Sequence, residues 1–133
     1  MFRYLLDTNI VIYVIKRRPI EVLDTFNANA GLMCINSITY AELMHGVEKS
    51  TKPVENRRLV QDFVSRLSVL DYGMKAAEHY GDIRAHLEKQ GKTIGINDLH
   101  IAASARSEGL IVVTNNECEF SRVDGLRVEN WVK

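Results

Sequence analysis

The sequence predicts an α/β fold: three α/β/α layers around a mainly parallel sheet of four to five strands. Three observations carry this. The runs Tyr4-Leu5-Leu6 and Leu110-Ile111-Val112-Val113 are continuously apolar, as strands covered on both faces are. Short runs of this kind alternate along the chain with helix-period segments, the pattern of parallel sheets with crossover helices. Two such segments follow aspartates with the same spacing. Asp7 precedes Ile10, Val11 and Val14, and Asp98 precedes Ile101, Ala102 and Ala105, at offsets of three, four and seven.

The elements are expected in this order. Phe2–Leu6 reads as a strand and Thr8–Lys16 as a helix that stops near Pro19. A second short helix covers Ile20–Ala28. Leu32–Ile35 is too short for a helix and reads as a strand. Ser37–Val47 is helical. Lys49–Glu55 is a polar surface loop, and Pro53 also opens a helix that runs to Leu67. Ser68–Leu70 reads as a third strand. Met74–Gln90 is a long helix ended by Gly91, and Asn97–Ser107 a helix ended by Gly109. Leu110–Val113 is a buried strand with adjacent β-branched valines. A last strand covers Leu126–Val128 before Trp131.

The chain of 133 residues suits one domain, residues 1–133, with a sizeable core. Repeats, low-complexity stretches and long linkers are absent from the sequence. No apolar run approaches the ~18 residues of a membrane span, and the start lacks signal-peptide order. A cytoplasmic protein is expected. Cys34, in a strand, and Cys118, in a loop, form no CxxC pair and read as reduced thiols without a metal role. The net charge of zero argues against a protein that coats nucleic acid by bulk charge. It leaves room for a nuclease whose acidic centre cancels a basic rim. Rim candidates are Lys16, Arg17, Arg18, Lys49, Lys52, Arg57 and Arg58, each of which also reads as an ordinary solvated charge.

In open parallel sheets, ligands gather beyond the carboxyl ends of the strands. Asp7 stands at such an end, and Thr114, Asn115 and Asn116 at another, with Glu117 and Glu119 beyond. Both aspartates also read as helix N-caps. Glu42 opens a mostly apolar helix, and Thr39-x-x-Glu42 also matches a capping box. Crowded carboxylates take up protons unless a cation intervenes. An all-oxygen set favours Mg²⁺ or Mn²⁺ over zinc, and phosphodiester hydrolysis is the chemistry that most often needs it. Glu42-x-x-His45 is half of a di-iron motif without its second half. His79 and His86 read as surface residues, and His100 as packing or surface. The sequence contains no GxxxxGK[ST], GxGxxG or GxSxG, which removes the common nucleotide-binding and α/β-hydrolase readings.

Leu6-Asp7-Thr8-Asn9, Ala41-Glu42-Leu43, Gly95 to Ala103 around Asn97-Asp98, and Thr114-Asn115-Asn116-x-x-Glu119-Phe120 occur in that order. In this order, over essentially the whole chain, they resemble a PIN domain, and more narrowly the VapC toxins of bacterial type II toxin–antitoxin pairs. The resemblance implies a metal-dependent endoribonuclease using one or two Mg²⁺ or Mn²⁺ ions. Asp7, Glu42 and Asp98 would be the main metal-binding and catalytic carboxylates, and Glu119 the accessory acid, preferred over Glu117 on motif grounds. Thr8, Thr114 and Asn116 would support the acids or contact substrate. Asn116 stands where the family commonly has an aspartate. The implied reaction is in-line attack of water on a phosphodiester, leaving a 5′-phosphate and a 3′-hydroxyl. The implied substrate is structured RNA, with the initiator tRNA anticodon stem-loop ranked first. A homodimer and a VapB-type antitoxin are also implied, with Ile12, Tyr13, Val22 and Phe26 as docking candidates or simply core.

Other functions stand beside this one: a housekeeping PIN nuclease in RNA processing or at DNA ends, and a non-catalytic domain that binds RNA or protein. The second would be marked by loss of an acid, yet Asp7, Glu42 and Asp98 are all present. A receiver-type phosphoacceptor would want an acidic pair after the first strand, which is not there.

Overall fold

The computed structural model describes residues 1–132. Its strands are β1 (Tyr4–Leu6), β2 (Met33–Asn36), β3 (Ser68–Leu70), β4 (Ile111–Val113) and β5 (Arg127–Glu129). The helices are α1 (Thr8–Lys16), α2 (Ile20–Ala28), α3 (Ser37–Glu48), α4 (Pro53–Val64), α5 (Met74–Gln90), α6 (Ile96–Glu108) and α7 (Glu117–Phe120). The five strands pair in the order β3-β2-β1-β4-β5, every pair parallel.

The central strands carry apolar side chains to both faces, and strand alternation sorts them. Tyr4, Leu6, Met33, Ile35, Ile111 and Val113 face one core, packed with α1, α2, α3 and α4 residues such as Ile10, Val22, Leu43 and Phe63. Leu5, Cys34 and Val112 face the other, with Ile83 and Leu87 of α5 and Leu99, Ile101 and Ala102 of α6. The small side chains Ala102, Ala103, Ser104 and Ala105 are all buried, so α6 is covered nearly all round and lies close to its neighbours. The stripes that follow both aspartates are buried as their spacing requires.

Differences from the sequence expectation lie mainly at ends. β3 spans Ser68–Leu70 as expected, and the other strands are shorter or shifted by a residue, because sheet pairing rather than apolar content sets their limits. Residues 53–55 belong to α4 and not to a loop, and α4 ends at Val64, short of Leu67. Arg17 leaves α1 at φ 59°, in the left-handed region. The α7 helix was not expected, and Cys118 lies on it, exposed, instead of in a loop. Cys34 is buried, and burial pushes its thiol up to about 12. No helix among the described residues is long and apolar enough to cross a membrane.

The topology positions a site. From β1 the chain builds outward to β2 and β3 on one side, and β4 and β5 lie on the other. The order therefore reverses between β1 and β4, where a crevice opens at the carboxyl ends. Asp7 follows β1 and Thr114 follows β4, at the two lips of that crevice.

Candidate active site

Asp7 is almost fully buried, at 4% exposure. It does cap α1, accepting from the Asn9 N–H at 3.4 Å through Oδ1. Its other oxygen accepts from Thr114 Oγ1 at 2.6 Å, a bond between the ends of adjacent strands. Thr114 in turn accepts from the Asn116 N–H at 2.9 Å. Burial pushes the Asp7 carboxyl above its ordinary range despite these donors, and the nearby Glu42 charge adds to the rise. An N-cap alone would not need a second, buried donor from another strand.

Glu42 is not the far half of a capping box. Asn36 caps α3, accepting from the Ile38 N–H at 2.7 Å. Thr39 is buried, with no hydrogen-bond partner for its hydroxyl. The Glu42 carboxylate instead accepts from Thr8 Oγ1 at 2.7 Å and from Asn97 Nδ2 at 2.9 Å. Thr8 and Asn97 are the chain neighbours of Asp7 and Asp98, so Glu42 is drawn between them.

Asp98 lies in the first turn of α6 and is not its cap, since Gly95 occupies that position. Its carboxyl is raised to about 7, first by burial, then by its hydrogen bond with Glu119 and the charges of Asp7, Glu119 and Glu42. Glu119 is held low, chiefly by the same bond with Asp98 and further by Asn116 and the Gly95 backbone. The two carboxyls titrate as a pair, and their hydrogen bond is made by a proton shared between them. Asn116 donates its side-chain amide to Glu119. Glu117 accepts from Asn130 at 3.1 Å, whereas Glu119 bonds with Asp98 and Asn116.

Four acids from α3, α6, α7 and the end of β1 thus crowd one crevice, and after burial the charges of neighbouring acids raise the carboxyls of Asp7 and Asp98. Among the described residues none of the four has a salt-bridge partner. Arg122 lowers Glu119 through space but donates to Thr93 O at 3.0 Å. The donor set is all oxygen and suits a hard divalent cation. Apart from the Asp98–Glu119 bond the acids stand around the crevice, and no three His, Cys, Asp or Glu side chains among the described residues are gathered closely enough to enclose an ion. Thr8, Thr114 and Asn116, read from sequence as support for the acids, all make such bonds.

Sequence reasoning missed Asn97 and Asn36. Asn36 is fully buried, and its amide donates to Ser104 on α6. Both are contacts across more than fifty residues, with no local pattern to announce them. The remaining candidates divide. Ile12 and Lys16 line a groove that ends at Glu42, with Leu43, Val47 and Leu59. Val22 is wholly buried and offers no surface for docking, and Phe26 packs on Phe63. The Tyr13 hydroxyl accepts from Asn115 at 2.9 Å. Arg57 is tied to Glu48. His100 stacks on Tyr80 at 4.4 Å and meets Tyr72 edge-on. His79 is half-buried rather than a plain surface residue, and accepts from Arg106.

An open parallel sheet with acids gathered at its reversal point is the arrangement of a ligand site in α/β proteins. Residues 4–126 match the model of the PIN domain, and the chain belongs to that family, among its VapC ribonucleases. It is 64% identical over 132 residues to "Ribonuclease VapC2" of Haemophilus influenzae, covering 99% of this chain and 100% of the relative. It is 53% identical to "tRNA(fMet)-specific endonuclease VapC" of Shigella flexneri, covering 98% and 99%. The crystal structure of DNA-bound VapBC from Salmonella typhimurium superposes with a TM-score of 0.94 at 49% identity, covering 98% and 99%.

Proposed function

We propose that this chain is one nuclease domain over residues 1–133 and the toxin of a type II toxin–antitoxin pair. It is read as a cytoplasmic endoribonuclease dependent on Mg²⁺ or Mn²⁺ that cuts structured RNA, with initiator tRNA ranked first, and so inhibits translation. The observation that carries the reading is the set Asp7, Glu42, Asp98 and Glu119, drawn to one crevice without a basic partner in a VapC-family chain. The name of the Shigella flexneri relative, which specifies tRNA(fMet), supports the substrate. The VapBC neighbour supports an antitoxin of the VapB type, and a homodimeric toxin is the form the family resemblance implies.

Asp7, Glu42, Asp98 and Glu119 would hold one or two ions. Bound there, the metal would lower the pKa of an attacking water and neutralise charge at the leaving oxygen. The protein's part is orientation and charge. Thr114 fixes Asp7 in one rotamer. Thr8 turns Glu42 toward the crevice. Glu119, ionised and held by Asn116, is the group placed to accept a proton from water. Asn116, in place of an aspartate, removes one negative charge and steadies Glu119 instead. Lys16, on the rim of the Glu42 groove, and its neighbours Arg17 and Arg18 are the basic groups best placed for RNA phosphates. The apolar floor of the same groove suits the antitoxin.

Incubating the purified chain with a total bacterial tRNA pool tests this, with Mg²⁺ or Mn²⁺, with EDTA, and with Asp7→Asn. One discrete, metal-dependent cut that folded Asp7→Asn fails to make is the expected result. Equal cutting by Asp7→Asn would sink the site.

A further inference from the structure

We propose that Asn97 is a positioning residue, whose side chain orients Glu42 for cation binding. The proposal rests on the nuclease reading above. Asn97 stands at the second position of α6, two residues past the cap, where an asparagine side chain can still turn back on the backbone of the helix end. It does not: α6 has no side-chain cap bond. The one side-chain hydrogen bond Asn97 makes among the described residues runs to Glu42 Oε2 at 2.9 Å, across 55 positions of sequence. Asparagine is a poorer helix former than alanine at an exposed site, so the local structure gives no reason to keep it.

The bond completes a clamp. Thr8 donates to Oε1 of the same carboxylate at 2.7 Å. Two donors, one on each oxygen, fix the plane of the carboxylate, and each comes from the residue beside another site acid. Glu42 extends from α3, which has no other acid in the crevice, so its rotamer would otherwise be free. Asn36 and Ser104 fasten the base of α3 to α6. Asn97 and Glu42 fasten the same two helices nearer the crevice. A neutral amide can do this without competing as a cation. A lysine in that place would pair with Glu42 and occupy the site.

Groups that orient metal ligands typically contribute about 10- to 100-fold to metal affinity or activity. The test is direct binding of Mn²⁺ alone, by calorimetry or by the loss of its free-ion resonance signal. Wild type, Asp7→Asn, Asn97→Leu and Asn97→Gln are compared at equal pH. Asn97→Leu keeps the branched shape of the side chain and loses the donor, and Asn97→Gln keeps an amide. Asn97→Leu is expected to bind Mn²⁺ about 10- to 100-fold more weakly, with an unchanged melting temperature in EDTA and an unchanged KM for RNA. Asn97→Gln is expected to fall between Asn97→Leu and wild type. Wild-type Mn²⁺ affinity in Asn97→Leu, with KM for RNA raised, would overturn the proposal and make Asn97 a substrate contact. A lowered EDTA melting temperature with unchanged Mn²⁺ affinity would overturn it in favour of a structural role. Failure of the nuclease reading looks different: Asp7→Asn would then bind Mn²⁺ as well as wild type does.

Discussion

One helix, α6, carries two charged regions that are built in opposite ways. At its end, Arg106 donates to Asp82 at 2.7 Å, to His79 Nδ1 at 2.9 Å and to the Asp124 carbonyl at 3.0 Å. His86 meets the Asp124 carboxylate at 3.1 Å. There the acids have basic partners, and Arg106 pulls the Asp82 carboxyl below its usual range. At its start, Asp98 meets three other acids and no base, and its carboxyl is raised to about 7. The helix dipole favours both residues where they stand, but at about 0.3–1 kcal/mol it amounts to less than one pKa unit, about 1.4 kcal/mol. Burial and like charge therefore win at Asp98. The lesson is that the Arg106 cluster is a finished structural staple between α5, α6 and the 122–125 turn. The acidic cluster has no base to balance it among the described residues.

Neutralising one acid should break the comparison most sharply. Asp7→Asn is expected to reduce cleavage by on the order of 10³-fold, comparable to removing a preorganised transition-state donor, while the fold survives. Initial rates on a defined RNA check this. Thr114→Val leaves Asp7 charged but removes its buried donor. A loss of about 10- to 100-fold is expected, read as a higher Mn²⁺ concentration at half-maximal rate.

Stability against pH separates the two regions next. Asp98 has its folded pKa raised from 3.8 to about 7. Its contribution is fully present below about pH 4 and is lost as pH rises through about 7. Asp7 is shifted in the same direction. In EDTA, wild type should thus lose stability between about pH 4 and 7, and Asp98→Asn should flatten that decline, as denaturant melts at several pH values would reveal. An identical slope in both proteins would remove the charge argument.

The smallest effect belongs to the finished region. Arg106→Ala should cost about 1–2 kcal/mol of stability through its lost hydrogen bonds and leave the cleavage rate per folded molecule unchanged. A rate loss in that variant would mean that the two ends of α6 are not independent.

Much of the site was legible because its signals are local. Asp7 and Asp98 each head a buried stripe, and residue spacing alone shows that. The central strands announced themselves by burial on both faces. The α7 helix did not, because one turn is too short to show a period. Asn36 and Asn97 could not be found from sequence, since each acts on a residue far along the chain. The choice of Glu119 over Glu117 rested on motif order until the Asn116 and Asn130 bonds separated them.

Four acids without a basic partner should burden the bare protein and stabilise it once a cation is bound. Melting wild type and Asp98→Asn at pH 8, each in EDTA and in saturating Mn²⁺, tests it most directly. In EDTA the variant should melt higher. In Mn²⁺ the wild type should rise, by mass action on the folded state, and the order should invert. If the variant melts lower in both conditions, and Mn²⁺ moves neither protein, the acids are ordinary structure and the account is wrong.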